Sequence, residues 1–180
     1  MMEEFLLSRR GLLALATGSA GLSVAALASR PAPAKSASTR TALASPAANK
    51  TTPVNTLASG EGVAIRGYDP VAYFREGAPR LGLAEHALIR DEAVWRFASA
   101  QNKAMFRDDP QRYLPAYGGF CAYGTSRGYL VKIEPEAWTI VDGRLFLNYD
   151  LDTRSTWLPD RTAYIARADS LWPRLSGRSP

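Results

Sequence analysis

The spacing of apolar positions changes several times along this 180-residue chain, and each change predicts an element. In GYDPVAYFREG, Asp69 stands where a side-chain oxygen caps a helix and Pro70 where a ring costs no hydrogen bond, so a helix of about two turns is expected to end near Gly77. The run HALIRDEAVWRFAS alternates on both sides of the polar pair Asp91-Glu92, the pattern of a β-hairpin, which puts Trp95 and Phe97 on one face. Ser99 caps a further helix in which Ala104, Met105 and the aliphatic stem of Arg112 follow helical spacing. Pro110, with Asp109 before it, restarts that helix and turns Tyr113 inward. AWTIVDGRLFLNY sets β-rich residues around Asp142-Gly143, a dipeptide suited to a type I′ turn because both positions accept positive φ. After Leu158-Pro159, Asp160 caps a helix that carries Tyr164, Ile165, Ala168 and Leu171 on one face. Between these elements FCAY, if extended, puts Cys121 and Tyr123 on one side and Phe120 and Ala122 on the other. Helices and hairpins alternate without βαβ units, and no internal repeat is visible in the residues. The fold class is therefore α+β: a small antiparallel sheet built from hairpins, with short helices and a C-terminal helix.

The first residues obey a different pattern. Arg9 and Arg10 precede an uncharged run from Gly11 to Ser29 that is rich in Ala, Gly and Leu, which is the order of an export signal. The segment Ser8-Arg9-Arg10-Gly11-Leu12-Leu13 resembles the twin-arginine signal, an address read by a receptor. The run is short for a membrane span, is diluted by Gly, Ser and Thr, and ends in small residues that suit cleavage at Ala26-Leu27-Ala28 or Ala32-Pro33-Ala34. Residues 1–34 are accordingly expected to be a signal peptide, 35–56 a disordered linker too poor in bulky groups to order, and 57–176 the folded domain. The expected location is the periplasm or another extracytoplasmic space, with no stable membrane anchor after cleavage.

Charge and residue counts remove several function classes. The net charge is +5, but acidic residues are interleaved, as in Arg90-Asp91-Glu92 and Arg107-Asp108-Asp109, so nucleic acid is not an expected partner. A single Cys excludes an internal disulfide; with a single His it also excludes a zinc site of four such ligands and the two-histidine blue-copper set. A Cu(I) site using Cys121, Met105 and His86 stays open, because soft donors select that ion. Thiol catalysis with His86 as base for Cys121 is a further option, although His86 starts a strand and no G-x-S-x-G is present. Cys121 itself has two readings: a buried small hydrophobe, or a functional thiol if it is exposed and its pKa is lowered. The rings of the Tyr117 to Tyr129 stretch, together with GYDPVAYF, suggest a ligand pocket for which Tyr68, Asp69, Tyr117 and Tyr123 are the candidate residues.

Three blocks, GYDPVAYF, WRFASAQNKAMFRDDPQRYLPAYGGFCAYG and PEAWTIVDGRLFLNY, occur in this order and together resemble the YHS-domain family, in particular its small exported members, over about Ile65 to Leu175. The resemblance implies a small metal-handling module with cysteines after an aromatic strand and in the helix that follows; here those positions read Phe97-Ala98-Ser99 and Asn102. Cys121, in the GGFCAY block, matches the exported subgroup and is the residue on which soft-metal or redox chemistry would rest. The expected function is a non-catalytic exported binding module, associated with copper or another soft metal through Cys121. The alternative is a module that binds a small molecule or a protein in an aromatic pocket, and a thiol-dependent enzyme is the least favoured option.

Overall fold

A computed structural model describes residues 52–60 and 62–177. The expected signal peptide with Arg9 and Arg10, and the linker up to residue 51, lie outside the described residues. The elements are α1 (Pro70–Arg75), the hairpin β1 (Leu83–Arg90) and β2 (Ala93–Phe97), α2 (Ala100–Asp108), α3 (Pro110–Tyr113), α4 (Ala122–Ser126), the hairpin β3 (Glu134–Val141) and β4 (Arg144–Asn148), α5 (Leu151–Trp157) and α6 (Arg161–Leu175). Among the described residues this gives six helices and two two-stranded antiparallel sheets, a mixed α+β fold. No helix of the described residues is long and apolar enough to cross a membrane.

Local chemistry explains most of the boundaries. Ser99 Oγ accepts from the Asn102 N–H at 3.1 Å and Asp109 Oδ1 from the Arg112 N–H at 3.4 Å, so both act as helix caps. Each hairpin turns through two residues of positive φ, Asp91 (50°) and Glu92 (60°) in the first and Asp142 (49°) and Gly143 (72°) in the second, the geometry that matches the natural twist of paired strands. Four expectations need correction. The face that α2 buries carries Asn102 and Phe106 rather than Ala104 and Met105. Asp160 stands at the start of α6, but its side chain accepts no helix N–H. Of the four residues expected on the buried face of α6, Ala168 alone is fully buried. FCAY is extended only at its start: Phe120 is extended, and the chain turns helical at Ala122, with Cys121 as the cap of α4.

The two halves of the domain repeat one another. A turn of positive-φ residues (Ile65, Arg66 and Gly67; then Tyr117, Gly118 and Gly119) leads in each half to a capped short helix, a hairpin and two further helices. The registers coincide. Leu83 pairs with Phe97 and Ala87 with Arg96, across a bulge; Glu134 pairs with Asn148 and Trp138 with Leu147, across the same bulge. Asp69 N–H donates to Arg80 O, and at the matching place Cys121 N–H donates to Val131 O. The aromatic pair between hairpin and helix is kept with its residues exchanged. Trp95 lies against Phe106 at 5.3 Å and 34°, and Phe146 lies against Trp157 at 5.6 Å and 38°.

This duplication places two cores side by side. β4 is buried on both faces: Leu145 and Leu147 join Trp95, Phe97, Phe106, Tyr73 and Cys121 in one core, while Phe146 joins Trp157, Tyr117 and Ala168 in the other. The chain entering the domain crosses the junction. Asn55, expected in the linker, is 1% exposed; its N–H donates to Gly118 O, its Nδ2 to Gly119 O, and its carbonyl accepts from Ile65 N–H. The packed region thus starts N-terminal to residue 57.

Candidate functional site

The structure separates residues that hold the fold from residues that face a cleft, and Asp69 belongs to the first group. It is fully buried, and its carboxylate accepts from Val71 N–H (2.8 Å), Ala72 N–H (3.4 Å), Ala98 N–H (2.9 Å) and Asn102 Nδ2 (2.6 Å). One side chain therefore caps α1 and ties it to the start of α2. Asn102, at a position where the resemblance implied a cysteine, is the partner in this network, and Ser99 is the cap of α2. The Tyr68 ring packs against the first core.

Cys121 occupies in the second half the place that Asp69 holds in the first. Its sulfur accepts from Gly124 N–H at 3.4 Å, and the N–H groups of Tyr149 and Tyr123 also face it. The thiol lies 3.9 Å from Asn148 Oδ1 and the residue is 1% exposed. Burial pushes the thiol pKa up, against the opposing pull of the three N–H groups. A thiol held protonated in this way is not the thiolate that nucleophilic chemistry requires. Asn148 is itself fully buried, and among the described residues its Nδ2 has no hydrogen-bond partner.

A cleft of about 290 Å³ opens beside this sulfur, walled by Tyr123, Tyr129 and Tyr149 with Val131, Gly124 and Thr153. Of these, Tyr129 is 51% exposed and Tyr149 40%. Two cations lie over the rings: the Arg127 guanidinium sits 4.9 Å from the Tyr123 ring centre and donates to its hydroxyl at 2.7 Å, and Lys132 Nζ sits 4.2 Å from the Tyr149 ring centre. Such a space suits a small flat molecule that stacks on rings and exchanges hydrogen bonds with hydroxyls.

The remaining sequence candidates go elsewhere. Tyr117 is 4% exposed and donates its hydroxyl to Asp169 Oδ1 at 2.9 Å, and Arg144 grips the same carboxylate through two nitrogens at 2.8 and 3.0 Å. This joins α6 to the tip of the second hairpin. His86 lies in the bulge of β1 with its Nε2 3.7 Å from Glu85 Oε1, and Met105 Sδ accepts from Arg75 Nη1 at 3.4 Å. Neither lines the cleft at Cys121. Among the described residues no group of three or more His, Cys, Asp or Glu is placed to hold a metal ion. Of the expected ligand residues only Tyr123 lines that cleft; Tyr149, Val131 and Thr153 were missed. Tyr149 follows a strand and precedes a helix cap, and such junction aromatics are the signal that points to it. No family model, no curated protein and no solved structure matches the chain.

Proposed function

We propose that this chain is an exported, non-catalytic binding module whose ligand is a small planar molecule held in the tyrosine-walled cleft over Cys121. The observation that carries the reading is the convergence of three tyrosines on one open space, two of them with exposed rings that the packing of the core does not employ. At about 290 Å³ the cleft stands near the roughly 300 Å³ lower bound of ordinary ligand sites, which suits one or two fused rings. The export part of the reading rests on the arginine pair and apolar run of residues 1–34. Phenol and indole are the probes. Amide chemical shifts of Gly124, Val131 and Thr153 should move on titration, and Tyr149→Ala should weaken the response about tenfold, the loss of one good stacking contact. Shifts confined to other parts of the surface, or a Tyr149→Ala protein that responds like the parent, would remove the reading.

The copper reading draws support from the same place, since the Cys121 sulfur lies on the wall of the cleft and a soft ion entering there would meet a soft donor. A Cu(I) titration decides it: binding abolished by Cys121→Ala supports this reading, and binding that is absent or indifferent to that change removes it.

A further inference from the structure

The tyrosine-walled cleft has a counterpart position in the first half of the repeat, and side chains meet across it there. Asp150 caps α5 as Ser99 caps α2, so Thr153 stands where Asn102 stands. Tyr123 and Gly124 match Val71 and Ala72 at the start of the preceding helix, and Tyr149 matches Ala98 after the hairpin. Val131 matches Arg80, whose carbonyl accepts from the Asp69 N–H as that of Val131 accepts from the Cys121 N–H. With Cys121 in the place of Asp69, every residue that lines the cleft except Tyr129 has its equivalent around Asp69.

In the first half Asn102 Nδ2 donates to Asp69 Oδ2 at 2.6 Å, and both side chains are buried. This bridge closes the junction between the start of α1 and the first turn of α2. In the second half both partners are shorter. Cys121 ends in a single sulfur where Asp69 carries a carboxylate, and Thr153 stops at a hydroxyl and a methyl where Asn102 extends to an amide. The sulfur accepts from Gly124 N–H at 3.4 Å and lies 3.9 Å from Asn148 Oδ1, and among the described residues no hydrogen bond joins it to Thr153. The bridge is gone, and a cleft of about 290 Å³ with Cys121 and Thr153 on its wall stands at that junction.

We propose that Thr153 is the specificity-determining residue of this cleft: its short side chain leaves open the path to the Cys121 sulfur and so sets how deep a ligand goes. The inference rests on the reading of the cleft as the ligand site. A ligand that reaches the sulfur passes through the space that the Asn102 amide takes in the first half. Thr153→Asn returns an amide to that space and closes the path, because a filled junction does not admit a ring without strain. Thr153→Ala widens the path. The helix accepts either residue: the Thr153 contribution to the cap is its backbone N–H, 2.7 Å from Asp150 Oδ1, and α2 carries Asn at the same position.

Two readouts separate this inference from the ligand reading beneath it. Methyl methanethiosulfonate labels a thiol that a small molecule reaches, and mass spectrometry follows the single cysteine of the chain with no ligand present. At about pH 8.5, near the ordinary thiol pKa, Thr153→Asn should slow labelling at least about tenfold and Thr153→Ala should quicken it. Thr156→Asn, at an exposed position of α5 that does not line the cleft, should label like the parent. Low urea should not change the parent's rate, because the path needs no unfolding. In the titration with phenol and indole, Thr153→Asn should weaken both at least about tenfold, and indole, the longer of the two, the more. A parent that binds neither probe, with labelling rates ordered as expected, removes the ligand reading and leaves the role of Thr153 in opening the cleft. The inference is overturned if Thr153→Asn labels like the parent, if Thr156→Asn slows labelling equally, or if the parent's rate climbs with urea.

Discussion

The equivalence of Asp69 and Cys121 yields a sharp comparison. Asp69→Ala removes a helix cap, worth about 1 kcal/mol, and strands the buried Asn102 amide and the partly buried Ala98 N–H. Hydrogen bonds to a carboxylate contribute about 1.5–3 kcal/mol each, and relaxation of the neighbours recovers part, so the expected loss is about 3–5 kcal/mol. Cys121→Ala takes away one sulfur, a weak acceptor that caps α4, and about 1–2 kcal/mol is expected. Urea unfolding followed by tryptophan fluorescence measures both. For a domain of this size the Asp69 variant should melt about 10–20 °C lower. Asp69→Asn should also be costly, because its amide would present N–H groups to the donors of Ala98 and Asn102. A double-mutant cycle with Asn102→Ala should return a coupling of at least about 1 kcal/mol. If Asp69→Ala lies within about 1 kcal/mol of the parent, or if Cys121→Ala proves the more damaging of the two, the carboxylate does not hold the two elements together and the reasoning fails.

Two further outcomes can be stated briefly. A Cβ on Gly119 would stand 2.4 Å from Ile65 Cγ2, and one on Gly118 2.0 Å from the Pro53 carbonyl oxygen, whereas one on Gly143 meets nothing within 4 Å. All three have positive φ, so Gly143→Ala should cost about 1–2 kcal/mol and Gly118→Ala or Gly119→Ala clearly more in the same unfolding assay. Equal losses at the three sites would contradict the close approach of the Pro53–Asn55 segment. The thiol of Cys121 gives a pH prediction. Its pKa is raised by burial, so its contribution is complete below the unfolded value of roughly 8.5 and is lost as pH rises through the folded value. The urea midpoint should therefore fall above about pH 8.5, and Cys121→Ala should remove the first part of that fall; the tyrosines Tyr73 and Tyr117, also raised by burial, act only at higher pH. A parent and variant with parallel pH profiles would show that the thiol is not buried.

Features that depend on a few neighbouring residues were legible in the sequence. Asp69-Pro70, Ser99, Asp109-Pro110, Asp142-Gly143 and the polar pair Asp91-Glu92 all do in the structure what their local chemistry predicts, because caps and tight turns are settled within four or five residues. α5 was missed although Asp150 accepts from the Thr153 N–H at 2.7 Å and Pro159 follows it, since only Trp157 of that helix is buried and no apolar period announces it. The repeat was illegible for a related reason. Its halves keep positions rather than residues: Trp95 and Phe106 become Phe146 and Trp157, and the carboxylate of Asp69 becomes a thiol. The ring volume of this pair is conserved by the exchange, and a residue-by-residue comparison sees two differences where the pair's packing sees none.

The same distinction decides how to read YGGFCAYGTSRGY. Its glycines and its cysteine invite a catalytic interpretation, but each has a structural partner far along the chain. Gly118 and Gly119 admit Pro53 and Ile65, Tyr117 binds Asp169, and Cys121 caps α4 beneath Asn148. None of these partners can be inferred from the thirteen residues themselves, so a sequence reading cannot tell a site from a junction there. Residues without a structural assignment are the better guide to function, because burial and pairing already account for the rest. By that criterion the exposed rings of Tyr129 and Tyr149, which line the cleft at Cys121, are the candidates that burial and pairing leave over.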